Sequence, residues 1–396
     1  MYVERIDWAK QRIGVAVERQ PGIASAIDTL SPALAPEHRF LRAAWFGAAD
    51  DGSASTLIAS RADETPVAAL PTVAYGPALV GARTVPGSYW PFRALPIAAD
   101  ATAAELADFL AHPVTLGALG QVWRLGPTYA DDPATQLFSR AAAMAGWTVL
   151  SRPLGQSFVF DPATGWPRAS TRRRLANYAR QLEQQGAVTI ESVRGTGWSA
   201  ALLDDLGAIE QASWVGRATD GSGAKFLSAQ RRAAWQRTLC DPVLAEMLMA
   251  TVLRVDGRPI AFSFDLLTPP MQYSIASSYD EAFAAYRPGK LVTAHLVGQA
   301  KALGITRIDF GAGDSGYKRE MGAEAGSRIV DLLLVRNRAA SSLLQLRWGP
   351  ECAIASEAYR TASLLRHAAR ARKGRSRIDM LMAMGAIAAA AISFGE

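Results

Sequence analysis

Between Tyr273 and Lys318 the chain groups residue types able to hold an anion and to move a proton. An apolar stretch runs into Ser277-Ser278-Tyr279-Asp280, and Tyr286-Arg287-Pro288-Gly289-Lys290-Leu291 then opens an amphipathic helix. Pro suits the first position of a helix, and the free amides of a helix N-terminus form an anion site, to which Arg287 and Lys290 add charge. Such a turn at a strand end can hold a pyrophosphate. The next apolar run ends in Asp309-Phe310-Gly311-Ala312-Gly313-Asp314, a polar glycine-rich loop followed by Tyr317-Lys318. The pattern reads as a cofactor site at Arg287–Leu291 beside a reaction site.

The elements that must position these groups follow from apolar periodicity and turn residues. The second half predicts helix Thr171–Gln185, strand Val188–Val193, helices Ala200–Ser213 and Ser228–Leu239, and strands near Leu248–Val255, Pro259–Leu267 and Gln272–Ala276. A helix near Leu291–Leu303, strand Thr306–Phe310, a short helix near Tyr317 and strand Ile329–Val335 follow. Asp256-Gly257 between two apolar runs signals a hairpin, and Gly304 is placed to cap a helix. The first half repeats part of this plan. Strands at Leu57–Ser60 and Val67–Val73 precede Tyr89-Trp90-Pro91-Phe92, a helix at Ala103–Ala111, strand Gln121–Leu125, a helix near Thr135–Ala145 and another apolar strand. This predicts an internal duplication with its boundary near Asp161–Arg168. The first copy lacks counterparts of Arg287–Lys290 and Tyr317-Lys318, so it is expected to support the site without catalysing.

Size and charge bound the remaining choices. At 396 residues the chain can hold two domains. Its two cysteines, Cys240 and Cys352, and four scattered histidines predict neither a disulfide framework nor a metal site. Met1–Lys10 lacks the long apolar run of a signal peptide, so the bulk is expected in the cytoplasm. The net charge of +6 is concentrated between Arg360 and Arg377, where seven Lys and Arg occur without an acid. Without those seven the chain carries 35 basic and 36 acidic residues, so a nucleic-acid partner is not expected for the body. The basic run precedes Met380–Gly395, which is uncharged, rich in Ala and Met, and shorter than the roughly 20 apolar residues that span a bilayer. Two readings are open: peripheral docking on an anionic inner-membrane surface, each basic residue contributing about 1 kcal/mol, or a helix packed on the body or on a second copy.

The residues also resemble the CelD/BcsL-like GNAT acetyltransferases. The matching features are Ser170…Arg173-Arg174…Leu182-Glu183…Gly186-Ala187-Val188, Ile209-Glu210…Ser213-Trp214, Gly257…Ile260-Ala261, Tyr279-Asp280…Pro288-Gly289 and Asp309-Phe310-Gly311…Gly313-Asp314…Tyr317-Lys318. They cover roughly Pro167 to Val335, whereas the first half matches in plan alone. Gly316-Tyr317-Lys318…Met321-Gly322 is similar to the Fem-type peptidyltransferases, whose corresponding lysine lies at the reaction centre. The resemblance implies an α/β fold of two GNAT-like domains in tandem, each a mixed sheet flanked by helices, with a C-terminal helical tail. The expected division is residues 1–160 as a degenerate supporting domain, 161–345 as the catalytic domain and 346–396 as the tail. It further implies an acyl-CoA-dependent N-acyltransferase that needs no metal, with the donor between the fourth and fifth strands of the catalytic domain.

Aminolysis of a thioester needs a neutral amine, stabilisation of the tetrahedral oxygen and a proton for the leaving thiolate. Lys318 is the candidate to polarise the carbonyl or hold a phosphate, and Tyr317 to protonate the thiolate. Glu210 and Asp280 are candidate bases. Asp309 and Asp314 are candidates to bind the acceptor ammonium or orient Lys318, with Trp214 and Tyr279 lining the substrate. Each has an ordinary alternative: a solvated helix glutamate, a loop-capping aspartate, a surface lysine. His295, alone on its helix, reads as structural, and Arg172, Arg173 and Arg174 as a solvated face or an anion contact. The expected acceptor is an amine of an envelope-related molecule, a sphingoid base or an amino sugar. Aminoacyl-tRNA-dependent transfer and a non-catalytic accessory role in polysaccharide synthesis are the alternatives.

Overall fold

The apolar runs of the sequence pair into one large mixed sheet flanked by helices. The computed structural model describes residues 14–47, 50, 52–76, 81–87, 94–218, 221, 223–313 and 316–348. Asp314, the Tyr89-Trp90-Phe92 aromatic group, Cys352 and the basic and apolar tail lie outside the described residues. The strands are β1 (Ala16–Pro21), β2 (Ser55–Ser60), β3 (Pro66–Tyr75), β4 (Ala82–Thr84), β5 (Val122–Tyr129) and β6 (Thr148–Phe160). The second half adds β7 (Val188–Val193), β8 (Leu248–Val255), β9 (Arg258–Thr268), β10 (Met271–Tyr279), β11 (Arg307–Ala312) and β12 (Glu324–Val335). Their spatial order is β1-β2-β3-β4-β5-β12-β6-β11-β10-β9-β8-β7.

Local signals act as expected. Asp256 and Gly257 take positive φ of 49° and 77° in the β8–β9 turn, and Gly304 at φ 69° ends the turn after the Pro288–Ala300 helix. Ser199 and Ser228 accept hydrogen bonds from the third amides of their helices, at 3.1 and 3.2 Å. The predicted strand Val188–Val193 and helix Ala103–Ala111 have the same bounds in the structure.

The two halves are interleaved. Strand β12, last in the chain, lies antiparallel between β5 and β6, and β6 lies between β12 and β11. A charged side chain marks this junction. Asp331 of β12 is fully buried and accepts 2.9 Å bonds from both Nε and Nη2 of Arg124 on β5. Arg152, its register partner on β6, donates a third bond at 3.2 Å. Gly126 is required beside it: at φ 130°, a Cβ there would stand 3.0 Å from the Asp331 backbone and carboxylate.

Side chains alternate across β8–β10 into two cores. On one side Phe262, Phe264 and Leu266 pack with Leu206, Phe226 and Trp235 under the Ala200–Ala212 and Ala229–Leu239 helices. On the other, Ala261 and Leu267 pack with Val292, Leu296 and Ile308 beneath the Pro288–Ala300 helix. That second side carries the cleft.

Candidate active site

Strands β10 and β11 run parallel but pair at three positions, Met271–Arg307, Gln272–Ile308 and Tyr273–Asp309. Beyond Tyr273 the ladder stops. A bulge between Ser274 and Ala276 shifts β10, and β11 is irregular between Asp309 and Ala312. The strands part there, as the sequence reading expected, leaving a cleft of about 130 Å³. Ser274, Ala276 and Ser277 line it from β10, Phe310 from β11, Thr293 from the helix, and Tyr317 from its rim.

The expected cofactor turn lies at the C-terminal end of β10. Asp280 caps a 3₁₀ segment, Glu281–Tyr286, and Arg287 then adopts a left-handed conformation, φ 51° and ψ 47°, before Pro288 starts the helix. The amides of Lys290 and Leu291 already donate to the Arg287 carbonyl, at 2.9 and 3.3 Å. Pro288 has no N–H, so the Gly289 amide is the one in this first turn that bonds no described residue. Arg287 is exposed. The Lys290 ammonium is 3.1 Å from Glu320, linking the helix start to the Tyr317–Glu320 turn. Tyr279 packs under Gly289, 3.6 Å from where a Cβ would stand.

Lys318 is not a surface residue. It is 4% exposed, and its ammonium donates to the carbonyls of Gly311 and Ala312 at 3.0 and 2.8 Å while lying 5.6 Å above the Phe158 ring. It therefore fixes the glycine-rich end of β11. Lys318→Met is expected to leave both carbonyls without that donor and to cost about 1–3 kcal/mol. A fall in the urea midpoint without a change in slope would register this. Tyr317 is 36% exposed, and partial burial pushes its phenol pKa upward, keeping the proton on at neutral pH.

Other expected residues fall elsewhere. Glu210 is buried, and its carboxylate accepts the amides of Lys225 and Phe226 at 2.8 and 2.6 Å, anchoring that loop. Burial raises its pKa against those bonds. Asp280 pairs with Arg258 and caps Ala282 at 2.9 Å. Neither carboxylate lines the cleft, so the geometry brings neither candidate base to it. Trp214 is 55% exposed and also outside the lining. His295 has a buried Nε2 with no partner among the described residues, and burial lowers its pKa. Arg172, Arg173 and Arg174 are all exposed on the Ala169–Glu183 helix.

Asp309 alternates with Ile308 and Phe310 and faces the opposite side of the sheet. It accepts the Tyr129 hydroxyl and the Gly311 amide, each at 2.7 Å, and burial raises its pKa despite these bonds. Tyr129 stacks on Tyr273 with ring centroids 6.5 Å apart. Burial raises the Tyr273 pKa, and the charges of Asp309, Glu37, Asp132 and Asp131 push it further up. This is an acidic environment, built from both halves, at the back of the cleft. Within it His38, 8% exposed, holds Asp132 at 2.7 Å; burial lowers the His38 pKa, and the carboxylate more than offsets this.

The sequence reading missed the cleft floor. Ser263, Gln272 and Ser274 line it, and Ser263 and Ser274 bond the fully buried Asp265. The available signal was Ser263 and Asp265 alternating with Phe262, Phe264 and Leu266 in an otherwise apolar strand. Among the described residues no cluster of His, Cys, Asp and Glu could hold a metal, and no helix is long and apolar enough to cross a membrane.

Residues 169–319 match the acetyltransferase (GNAT) domain family. No curated protein matches the chain in sequence. Its fold is similar to that of FemX, 10% identical over 83% of this chain and 100% of that one, with a TM-score of 0.55. It is also similar to L-PGS from Bacillus licheniformis, 13% identical over 83% of this chain and 96% of that one, TM-score 0.50. A tandem GNAT protein from the clavulanic acid biosynthesis pathway aligns over 81% of this chain and 99% of that one, 13% identical, TM-score 0.46. Residues 169–319 are thus similar to GNAT acetyltransferase domains, within a mixed α/β fold similar to those of FemX and L-PGS.

Proposed function

We propose that the protein is an acyl-CoA-dependent N-acyltransferase of the CelD/BcsL-like kind, moving an acyl group from a thioester to an amine. The observation that carries this reading is the cleft where β10 and β11 part, with the Gly289 amide and Arg287 at the helix that opens beside it. The donor's pyrophosphate meets Arg287–Leu291, and its thioester enters the cleft. Lys318 acts on the reaction by holding Gly311 and Ala312 in place, and Tyr317 lines the cleft beside them. The acceptor amine approaches from the acidic side, where Asp309, Glu37, Asp131 and Asp132 favour an ammonium. Residues 161–345 form the catalytic unit and 1–160 the supporting one, which contributes Tyr129 and the strand β6.

The acceptor belongs to an envelope-related molecule, a sphingoid base or an amino sugar of a polysaccharide precursor. Mass spectrometry of products from a panel of acyl-CoA donors with lipid and sugar amines tests the reading. The likeness to FemX favours one second reading, transfer of an aminoacyl group from tRNA, so an aminoacyl-tRNA belongs in the same panel. A product from that donor alone would replace the CoA assignment.

The basic run and the apolar segment after it support a peripheral position at the inner-membrane surface. Seven cations ahead of an uncharged apolar segment are expected to bind anionic vesicles in a salt-sensitive way. A chain ending at Thr361 should keep activity on a water-soluble amine and lose most activity on a vesicle-borne one. Equal co-sedimentation of full-length and shortened proteins at low salt would make the tail a packing element.

A further inference from the structure

The floor of the cleft holds a polar cluster whose bonds the fold alone does not account for. Asp265 is fully buried on β9, and its two carboxylate oxygens accept hydroxyls from two strands, Ser263 at 2.7 Å and Ser274 at 2.8 Å. Both serines line the cleft. Gln272 lines it too, with no exposed surface, and neither its amide nitrogen nor its amide oxygen makes a hydrogen bond of good geometry. Buried polar groups are rarely left unpaired, and an orphan on a cleft wall points to something that enters the cleft. Gln272 lies beside Asp265. An amide there can donate to the carboxylate or accept from the carboxylic acid, so it suits either protonation state.

Ser274 is the last β10 residue before the bulge at which the strands part, so its hydroxyl sits where a group entering the cleft meets the sheet. Around Asp265 the packed elements present Met249 from β8, Ile308 from β11, and Leu296 and Val297 from the Pro288–Ala300 helix. The titratable side chains around the cleft are Tyr317, which lines it, His295 beside Leu296 on the helix, and Asp309, which follows Ile308 on β11 and faces the opposite side of the sheet. Among the described residues no charge acts on the carboxylate: burial raises its pKa to about 6, against the Ser263 and Ser274 hydroxyl bonds and the adjacent Gln272 amide. A carboxylate without a counter-charge, reached through one hydroxyl, is arranged to take up a proton and release it again.

We propose that Ser274 and Asp265 form a proton relay for acyl transfer in this cleft. The inference rests on the acyltransferase reading above. As the amine nitrogen bonds to the thioester carbon, it loses a proton to Ser274 Oγ, which passes its own to Asp265. The C–S bond then breaks, and the sulfur takes a proton returned along the same path. Amide and free thiol leave with no net change in the enzyme. Ser274 is the group that touches the reacting atoms. Asp265 acts through it, and Ser263 and Gln272 hold the carboxylate in position.

The test compares wild type with Asp265→Asn, which keeps the size and the serine partners, and with Ser274→Ala. Single-turnover rates are measured with acetyl-CoA and palmitoyl-CoA as donors and hydroxylamine as the amine, the uncatalysed rate subtracted. The ratio of wild-type to variant rate cancels titration of the amine itself. It is expected to be about 100-fold or more at pH 8. Below a pH of about 6 wild-type Asp265 already carries the proton and cannot accept another, so the ratio should fall towards one. Ser274→Ala should show the same profile, and the double variant should be no slower than either single one. A ratio that is the same at every pH, or that stays within twofold, would overturn the relay while leaving the acyltransferase reading intact. A wild-type protein inert with both donors would overturn both. Where Asp265→Asn fails to fold, Ser274→Ala decides by the same profile.

Discussion

Replacing Gly289 by Glu is expected to abolish acyl-CoA binding while leaving the fold in place. The Gly289 amide bonds no described residue in the first turn of its helix, and Arg287 beside it is exposed. On the proposed reading a carboxylate there stands where the donor's phosphates would bind and repels them. At an effective dielectric near 20, two unit charges 4 Å apart interact by about 4 kcal/mol, so the loss in affinity should exceed 100-fold. The fold has no reason to suffer. A Cβ at position 289 meets the Tyr279 ring at 3.6 Å, an ordinary contact, and an acid at a helix N-terminus is favourable by about 0.3–1 kcal/mol. Gly289→Ala is the control and should keep binding within a few-fold. Calorimetry with acetyl-CoA decides: an unchanged affinity in Gly289→Glu would remove the donor from this helix.

Asp331→Ala should be the most destabilising single change at the junction of the two halves, by about 3–5 kcal/mol. The substitution leaves Arg124, 7% exposed, and Arg152 facing an apolar methyl in the middle of the sheet. The bidentate Arg124 pair fixes β12 against β5, and Arg152 fixes it against β6. Chemical denaturation measures the loss. Removing all three charges, as Arg124→Met and Arg152→Met with Asp331→Leu, should cost less than Asp331→Ala alone, because no buried ion is left unpaired. A loss under about 1 kcal/mol for Asp331→Ala would mean that the backbone ladder alone holds the interleaved strands.

Much of the site frame was legible because its determinants are local. The run Arg287-Pro288-Gly289 predicts a helix start from residues adjacent in the chain, and the structure starts the helix at Pro288. Its electrostatic detail was not legible. Lys290 and Leu291 spend their amides on the Arg287 carbonyl, which follows from the left-handed conformation of Arg287 and not from residue type. Lys318 was expected at the reaction centre, yet whether its ammonium faces solvent or two carbonyls depends on how the Tyr317–Glu320 turn folds back on β11. Glu210 and Asp280 carry the right chemistry for a base. What they bond is settled by the Lys225–Phe226 loop and by Arg258, respectively.

The sequence by itself determined the α/β class, most elements of the second half to within a few residues, and the helix start at Pro288. These depend on side-chain period and on the backbone preferences of Pro, Gly and the capping residues, all expressed within a few positions. Tertiary structure alone decided that β6 and β12 cross between the halves, since strand pairing joins residues such as Arg124 and Asp331 that lie 207 positions apart. It also decided that Tyr129 reaches Asp309, 180 positions away, and that Ser274 closes on Asp265 beneath the cleft. A buried polar residue declares its role only through its partners, and those partners are set by sheet register, which a single strand's sequence does not contain.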